Sequence, residues 1–386
     1  MRICLVYDCL FPHTVGGAER WYRNLAERLI LDGHEVTYLT LRQWERGGRA
    51  EMDPRVRVVT AGPRMELYTA DGRRRTLPPI VFGAGVLWHL LRRGRRYDVV
   101  HTASFPYFSM LAAAAARPLG GYTLVADWHE VWSRDYWREY LGRLGGAIGY
   151  GVQLLCARLR QRAFCFSELH ARRLRAEGLR GEVTVLRGEY AGPLETARAR
   201  PAEQLVVFAG RMIPEKRAAA GVAGVAAAIE RLPELRGLFF GDGPERGRVL
   251  SEIAAGPAPE RIEAPGFMPA EQVDEALERA LCMMLPSRRE GYGLIVVEAA
   301  ARGTPSIVVA GEDNAATELI EEGVNGFIAE SAEPEALAAA IVRVAAEGHA
   351  LRESTASWFN ANAERLSLES SLRAVLASYA PGSARR

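Results

Sequence analysis

Short apolar runs alternate with amphipathic helical segments along the chain, and the alternation starts afresh near residue 204. This pattern predicts parallel sheets covered by helices. Predicted strands of the first half are ICLVY, VTYLT, YDVVHT, YTLVAD and AFCFS, with a helix over about residues 18–31 after the first. Those of the second half are LVVFAG, GLFFG, RIEAPG, CMMLP and PSIVVA. We therefore expect an α/β protein made of two doubly wound, Rossmann-like domains.

A chain of 386 residues suits two domains of about 150–200 residues each. The Pro/Ala/Arg-rich stretch Pro193–Pro201 marks the boundary, so we predict domains at 1–195 and 196–360. The remaining segment, 361–386, is expected to pack back on the first domain, as a helix over about Ala361–Tyr379. Ligands of open parallel sheets bind beyond the carboxyl ends of the strands, so we expect the two domains to face a shared cleft.

Composition excludes several classes of protein. Hydrophobic residues make up 48% and charged residues 25%, which argues against disorder, collagen or a disulfide scaffold. The apolar run Ile80–Leu91 is too short to span a bilayer and contains His89. The opening MRICLVYD reaches Asp8 before a signal-peptide core could form. The sequence thus predicts a soluble, cytoplasmic protein.

The distribution of charge is more informative than its total of +2. Residues 1–200 carry a net charge of +11 and residues 201–386 one of −9, and the 49 basic residues include a single lysine, Lys216. The basic half, with a cluster at Arg92, Arg93, Arg95 and Arg96, suits an anionic acceptor or the surface of an anionic membrane. Opposite charges that steer the two halves together are the alternative.

No metal site is expected. The five cysteines form no CxxC pair and mostly lie in apolar runs, as buried free thiols do. The seven histidines form no HxxxH pair, and no two aspartates lie two residues apart.

The segment GRMIPEKR, Gly210–Arg217, follows a predicted strand and opens a helix, with Pro214 suited to the first turn. Arg211 and Lys216 are five residues apart, so a turn can point both at one anion. The free N–H groups of a helix start add to that attraction. Together they suit a departing diphosphate, whose growing charge needs fixed cations. A solvated helix start is the alternative.

The segment SRREGYGLIVVE, Ser287–Glu298, carries two carboxylates beside a Gly-Tyr-Gly turn. Gly291 and Gly293 let the backbone approach a ligand closely. Glu290 can accept hydrogen bonds from sugar hydroxyls, and Glu298 can take both hydroxyls of a ribose. The alternatives are a helix-start charge for Glu290 and a satisfied buried acid for Glu298.

Three weaker signals complete the set. The N–H groups of the Gly16-Gly17 loop after the first strand could face a phosphate, although a tight turn explains the pair equally well. His129 falls at the end of a predicted strand, within ADWHEVWSRDYW. The aromatic residues of that segment form either an acceptor platform or a packed lid. GDGPERG, Gly241–Gly247, has the wrong glycine spacing for a dinucleotide site and is interpreted as a strand–turn–helix junction.

Taken together, GG, GRMIPEKR, GDGPER, GFMP, EGYGLIVVE and EEGVNGF resemble the motifs of the family-4 retaining glycosyltransferases of GT-B fold. They occur in family order from about residue 204 to 330, and the resemblance is weaker over the first domain. It implies transfer of a hexosyl-type sugar from a nucleotide-diphosphate sugar to an acceptor hydroxyl, with retention of configuration. It implies no metal and no cofactor, since the nucleotide sugar is a substrate.

The resemblance also assigns roles residue by residue. Arg211 and Lys216 would bind the diphosphate, Glu290 would hold the reacting sugar, Glu298 would bind the ribose, and His129 would lie near sugar and acceptor. All of these except Glu298 make up the catalytic prediction. The donor-binding prediction adds contacts to phosphate, base and sugar by Gly16, Gly17, Phe267, Met268, Gly291, Tyr292, Gly293 and Leu294.

Two departures leave the donor open. VTVLRGEY has Arg187 where the family often has Asn, and GEDNAATELI replaces a commoner Gly-x-Pro-Glu-Ile type. Glycan, lipid-linked and small-metabolite acceptors remain alternatives, with peripheral contact to an anionic membrane and no nucleic-acid partner. The rival functions are a sugar-nucleotide epimerase, a nicotinamide oxidoreductase, and a non-catalytic sugar-nucleotide-binding protein at a membrane.

Overall fold

The structure, a computed structural model, describes residues 1–14, 16–45, 47–69, 74–194 and 197–379. Contacts divide the described chain into two compact units. Unit 1 comprises residues 1–69, 74–189 and 369–379, and unit 2 comprises 190–368. The expected domain boundaries were 195/196 and 360/361. Glu195, Thr196 and the last seven residues of the expected C-terminal segment, 380–386, lie outside the described residues.

Unit 1 is built on a parallel sheet in the order β3-β2-β1-β4-β5-β6-β7. Its strands are β1 (Arg2–Val6), β2 (Glu35–Thr40), β3 (Arg57–Thr60), β4 (Val99–Ala103), β5 (Thr123–Trp128), β6 (Arg162–Cys165) and β7 (Val183–Val185). Its helices are α1 (Gly17–Leu31), α2 (Leu77–Arg93), α3 (Phe108–Gly120), α4 (Arg134–Ala157) and α5 (Glu168–Ala176), with α11 (Leu368–Tyr379) from the end of the chain. Strand β1, in the interior of the sheet, is buried from Ile3 to Val6.

The strand order places the helices of unit 1 on two faces. The chain runs one way from β1 to β3 and then the other way from β4 to β7. Because parallel crossovers are right-handed, α1 covers one face, and α2, α3 and α4 cover the other. Helix α11 joins the α1 face, where Arg28 of α1 forms an ion pair with Glu369.

Unit 2 has a parallel sheet in the order β10-β9-β8-β11-β13-β15 and a small pair, β12 with β14. The strands are β8 (Leu205–Ala209), β9 (Arg236–Phe240), β10 (Ile262–Gly266), β11 (Cys282–Leu285), β12 (Arg289–Glu290), β13 (Ser306–Val309), β14 (Asp313–Asn314) and β15 (Gly326–Ala329). The helices are α6 (Ala218–Ile229), α7 (Arg246–Ala255), α8 (Ala270–Arg279), α9 (Leu294–Ala300) and α10 (Pro334–Leu366).

A buried arginine fastens α10 to its unit. Arg352 is fully buried and donates hydrogen bonds to backbone carbonyls of Arg200, Glu278 and Ala280 and to the hydroxyl of Thr304. Burial lowers its pKa to about 10, but the guanidinium stays charged at neutral pH. These carbonyls lie at the end of α8 and in the loops beside it. One side chain thus satisfies buried backbone acceptors that would otherwise lack a hydrogen-bond partner.

The predicted α/β fold with two Rossmann-like units is confirmed, and so are the ten predicted strands. Sequence analysis missed the short strands β3, β7, β12, β14 and β15. The helix expected over Ala361–Tyr379 is interrupted, since α10 ends at Leu366 and α11 starts at Leu368. The interruption arises where Tyr190 exchanges backbone hydrogen bonds with Leu366 and Leu368 in place of helix bonds. Among the described helices, none is long and apolar enough to cross a bilayer.

Candidate functional site

The loop after β8 is held by the loop after β9. The N–H groups of Gly210 and Met212 donate to Phe240 and Asp242, at 3.1 and 2.8 Å. Gly241 has φ +135°, and a Cβ there would overlap the Gly210 carbonyl, so only glycine fits. GDGPERG is therefore a strand–turn–helix junction whose backbone fixes the start of GRMIPEKR.

Lys216 and Glu290 meet at the carboxyl edge of the unit 2 sheet. Lys216 lies in a single 3₁₀ turn, Pro214–Lys216, and its Nζ donates to Oε1 of Glu290 at 2.5 Å. The turn is tied to the second loop because the N–H of Arg288 donates to the carbonyl of Glu215 at 2.8 Å. Glu290 is buried and Lys216 is half-buried. Two residues singled out from separate motifs, 74 positions apart, thus form one ion pair.

The turn that carries Glu290 is built by a buried asparagine. Strand β12 pairs Glu290 with Asn314 of β14. The Asn314 amide donates to the carbonyls of Ser287 and Val309 at 3.1 and 2.8 Å, and its Oδ1 accepts from the N–H of Ala316. Sequence analysis missed Asn314, although it falls within the GEDNAATELI stretch noted as a departure.

Gly293 is conformationally required. It has φ +100° at the start of α9, and a Cβ there would lie 2.7 Å from the Cβ of Ala316. Tyr292 is buried, whereas Gly291 and Leu294 are half-buried. Gly293 therefore serves packing, in addition to any approach of a ligand.

The remaining predicted residues of unit 2 are spread around the same sheet edge. Arg211 is exposed and, among the described residues, makes no side-chain hydrogen bond. Glu298 is half-buried on α9. Phe267 is exposed and Met268 half-buried in the loop after β10. The structure brings Lys216 and Glu290 into contact and places the others on neighbouring loops and helices.

In unit 1, the two glycines of the first loop differ. A Cβ at Gly16 would collide with the carboxylate of Glu19, which is buried in the first turn of α1. A Cβ at Gly17, the first residue of α1, would meet no described atom within 4 Å. A side chain at Gly16 would therefore have to displace the Glu19 carboxylate, whereas the space at Gly17 is open.

His129 follows β5 and is half-buried. Its ring stacks on Phe166 with centroids 4.4 Å apart. Burial lowers its pKa despite the nearby carboxylates of Asp127 and Glu130, so the imidazole is neutral at pH 7. Within the described residues its Nε2 is buried without a hydrogen-bond partner. This nitrogen is a buried polar atom whose hydrogen-bonding capacity is unused within the described residues.

The aromatic segment after β5 is packed. Trp128, Trp132, Tyr136 and Trp137 are all buried in one hydrophobic cluster. Gln153 of α4 binds the cluster, accepting from the indole N–H of Trp137 at 2.9 Å and from the backbone N–H of Trp132 at 3.2 Å. Of the two interpretations left open, the structure favours a packed cluster over an exposed platform.

Sequence analysis missed a buried polar network beside His129. Asp127 Oδ1 lies 2.7 Å from His101 Nε2, and Asp127 Oδ2 accepts from Trp21 of α1 at 2.8 Å. On its other side, His101 contacts the hydroxyl of Tyr379 of α11 at 2.5 Å. Burial alone raises the pKa of Asp127, but His101, His129 and the hydrogen bond from Trp21 together outweigh it, and the net pKa is lowered. The signal in the sequence was polar residues inside apolar strands, namely His101 and Asp127.

A second buried pair lies at the end of β1. Asp8 is fully buried and pairs with Arg74, which also lies 5.3 Å from the centroid of the Phe105 ring. The free thiol of Cys9 is buried beside them, and the other four cysteines are buried too.

Two family models match successive parts of the chain. The model described as Glycosyltransferase Family 4 matches residues 15–188, and the one described as Glycosyl transferases group 1 matches residues 196–363. The chain belongs to the family-4 glycosyltransferases. The resemblance stated from the motifs is thereby confirmed.

Curated relatives of this family-4 chain are distant. One is a D-inositol 3-phosphate glycosyltransferase of Streptomyces griseus, 31% identical over 39% of this chain and 34% of that protein. Another is a D-inositol 3-phosphate glycosyltransferase of Segniliparus rotundus, 32% identical over 46% of this chain and 40% of that protein. Matches to the first three relatives span 15% to 40% of their lengths.

Solved structures show the GT-B fold. Sucrose-phosphate synthase of Thermosynechococcus elongatus aligns with a TM-score of 0.78 at 18% identity, covering 98% of each chain. Anabaena Alr3699/HepE, in complex with UDP, aligns with a TM-score of 0.73 at 17% identity, over 98% of this chain and 99% of that one. At such identities the likeness concerns architecture alone.

Proposed function

We propose that this protein is a retaining, metal-independent glycosyltransferase that moves a hexosyl-type sugar from a nucleotide-diphosphate sugar to an acceptor hydroxyl. The observation that carries the proposal is the 2.5 Å contact between Lys216 and Glu290. A diphosphate sugar presents anionic oxygens next to a ring of hydroxyls. A cation and a carboxylate held side by side are complementary to these two parts of the donor, the cation to the anionic oxygens and the carboxylate to the hydroxyls.

The ion pair holds Lys216 and Glu290 side by side until the donor arrives. Lys216 then binds phosphate oxygens together with Arg211, while Glu290 accepts hydrogen bonds from sugar hydroxyls. Arg211 is the exposed cation of the same loop, so its guanidinium can turn to the ligand without breaking a hydrogen bond within the described residues. Glu298 on α9 is proposed to bind the ribose, and the loop of Phe267 and Met268 to contact the base.

The proposed transfer breaks the bond between the anomeric carbon and the phosphate oxygen, which keeps the electron pair. Lys216 and Arg211 stabilise that charge, as preorganised electrostatic groups do in other enzymes. The acceptor oxygen attacks from the same face, and its proton passes to a phosphate oxygen of the leaving group. The family resemblance assigns Gly17 to the phosphate and His129 to the sugar and acceptor. The neutral His129 imidazole, with Nε2 free of a described partner, suits a hydrogen bond to a hydroxyl.

The proposed partners are a nucleotide-sugar donor and a hydroxyl acceptor on a glycan, a lipid or a small metabolite. Support comes from a structural neighbour, Anabaena Alr3699/HepE, which has been solved with UDP-glucose. A cytoplasmic location completes the proposal.

A thermal-shift panel tests donor binding, because a ligand that binds only the folded state stabilises it by mass action. The panel contains nucleoside diphosphates of all bases and their sugar conjugates. We expect one base to raise Tm, with the matching nucleotide sugar raising it further. Absence of any shift at millimolar ligand would contradict the proposal.

Turnover then separates the rival functions. Donor consumption that requires an added acceptor supports a transferase. Consumption without acceptor and with a changed sugar indicates an epimerase, and donor binding without turnover across acceptors indicates a non-catalytic binding protein. Reduction of an added nicotinamide cofactor would indicate an oxidoreductase.

A further inference from the structure

The outer face of the α2–α3–α4 layer in unit 1 is apolar. Fifteen large hydrophobic side chains are exposed among the described residues, and ten of them lie on these three helices. They are Leu77, Ile80, Trp88 and Leu91 on α2, Phe108 and Leu119 on α3, and Leu141, Leu144, Ile148 and Leu155 on α4. We refer to these ten side chains as the apolar face. The crossover rule that places the three helices on the same side of the sheet makes them members of one surface.

Helix α2 shows most clearly that apolar side chains lie on the outer side of this layer. Its inner side buries Phe82, Val86 and Leu90. Its outer side would be polar in an ordinary surface helix, yet it carries Ile80 and Trp88, the latter 59% exposed. A helix that is apolar all round is normally buried, so the outer side of α2 has the composition of a covered surface.

Helix α4 repeats the pattern beyond its kink at Gly142. Leu144, Ile148 and Leu155 are 78%, 62% and 54% exposed. Their spacing of four and seven residues puts them in one row along the helix. Two helices of the same layer thus present apolar rows to the outside.

The charge around the apolar face is mainly positive. Residues 77–97, 108–122 and 134–162 contain eleven arginines against two carboxylates, Asp135 and Glu139, both near the start of α4. At the end of α2, Arg92 lies 3.5 Å from the centroid of the Trp88 ring. Within the described residues, Arg92, Arg93, Arg95 and Arg96 form no ion pair with a carboxylate. Arginines without internal counterions are available to external anions.

We propose that the apolar face docks on the surface of an anionic lipid bilayer. Leucine and isoleucine rows enter the boundary between headgroups and acyl chains, tryptophan occupies the interface, and arginines bind the anionic headgroups. A second copy of this chain is a poorer occupant, because two like faces would bring both sets of arginines together. The proposal does not rest on the transferase function, since docking needs neither donor nor acceptor.

Vesicle sedimentation of the full-length protein tests the proposal. The vesicles contain phosphatidylcholine alone or with phosphatidylglycerol, at low and high salt. We expect binding to the anionic vesicles only, weakened by salt because the charge contribution is screened. Absence of binding to anionic vesicles, or equal binding to neutral ones, would overturn it.

Two sets of variants locate the contact. L144S/I148S on α4 should lower the partition coefficient by roughly 10-fold, and R92Q/R95Q/R96Q should lower it by roughly 100-fold. The matched controls are L31S on α1, where Leu31 is 71% exposed on the opposite face, and R231Q/R236Q/R343Q in unit 2. Both controls should bind like the wild type.

Size-exclusion chromatography with light scattering tests whether a second copy of this chain, instead of a bilayer, occupies the apolar face. A wild-type dimer that L144S/I148S converts to a monomer, without any vesicle binding, would show that the apolar face joins two copies and would overturn the proposal. Donor thermal shifts of the same variants should match the wild type. A wild-type protein that binds anionic vesicles but shows no donor thermal shift would count against the proposed transferase function and leave docking standing.

Discussion

At the scale of single residues, the ion pair explains why Lys216 and Glu290 occur together. A carboxylate as buried as that of Glu290 is costly unless it is paired, and the only lysine of the sequence supplies the partner. Lysine reaches the carboxylate as a mobile point charge, whereas arginine would bring a rigid fork. A mobile ammonium can leave Glu290 for a phosphate, and this difference gives a reason for one lysine among 48 arginines.

Lys216→Met separates the two roles of the pair. Turnover should fall about 100-fold, because one charge-stabilising group is lost. The free energy of unfolding should fall by about 1–3 kcal/mol, because Glu290 is left buried without its partner. The double variant Lys216→Met with Glu290→Gln should recover stability in urea denaturation but not turnover.

Arg236→Met, at an exposed ion pair of the same unit, is the control and should change neither quantity appreciably. Wild-type turnover in Lys216→Met would remove Lys216 from the leaving-group role. Equal stability of the single and double variants would show that the pair does not stabilise the loop.

At the scale of elements, α11 is fixed by polar groups that are far apart in sequence. Tyr379 meets His101 across 278 positions, and the main-chain N–H of Gly188 donates to Ser371 at 3.1 Å. Tyr379→Phe keeps the ring and removes only the hydroxyl. It should cost about 1–2 kcal/mol in stability, because Nδ1 of the buried His101 loses its partner. Denaturant midpoints measure the cost.

Tyr150→Phe on α4 is the matched control, since Tyr150 is half-buried and makes no side-chain hydrogen bond among the described residues. Faster amide exchange throughout α11 in Tyr379→Phe would confirm that the hydroxyl fastens the whole helix. Unchanged midpoints in both variants would show that apolar packing alone fixes α11.

The end of α5 carries a pH-dependent element. Glu177 is the C-cap of α5, accepts a hydrogen bond from Gln153 at 2.7 Å, and has its pKa raised by burial to about 7 from an ordinary 4.5. Between these values the folded state keeps a proton that the unfolded chain releases, so stability falls as pH rises from about 4.5 to 7. Glu177→Gln keeps the amide hydrogen bond and removes the titration.

The variant should therefore equal the wild type near the low end of that range and exceed it by about 1–3 kcal/mol above the upper end, with solvent screening included. Urea denaturation across the range measures the difference. Glu182→Gln, an exposed carboxylate two residues before Thr184 of β7, controls for the loss of one charge. A constant difference at every pH would contradict the assignment.

At the scale of the whole molecule, local patterns predicted the fold better than they predicted the site. The ten predicted strands follow from apolar runs, because a buried parallel strand needs little else. Asn314 could not be inferred, because its amide joins the nearby carbonyl of Val309 to that of Ser287, which is 27 positions away in the chain. Similarly, only the folded sheet shows that Asp127 has His101 beside it. The hydropathy pattern also could not reveal the apolar face, because it does not distinguish the exposed Trp88 from the buried Phe82.

The chemistry as a whole makes one further prediction, which concerns the product. If fixed cations replace a metal at the leaving group, turnover should be unchanged by an excess of chelator, and the new glycosidic bond should have the anomeric configuration of the donor. Proton NMR of the first product formed, before any mutarotation, measures the configuration. Loss of turnover with chelator, restored by a divalent ion, would contradict the role given to Arg211 and Lys216. Inverted configuration would instead require a base on the side of the sugar opposite the leaving group. Glu290 would not supply that base, because in this proposal Lys216 holds it on the diphosphate side.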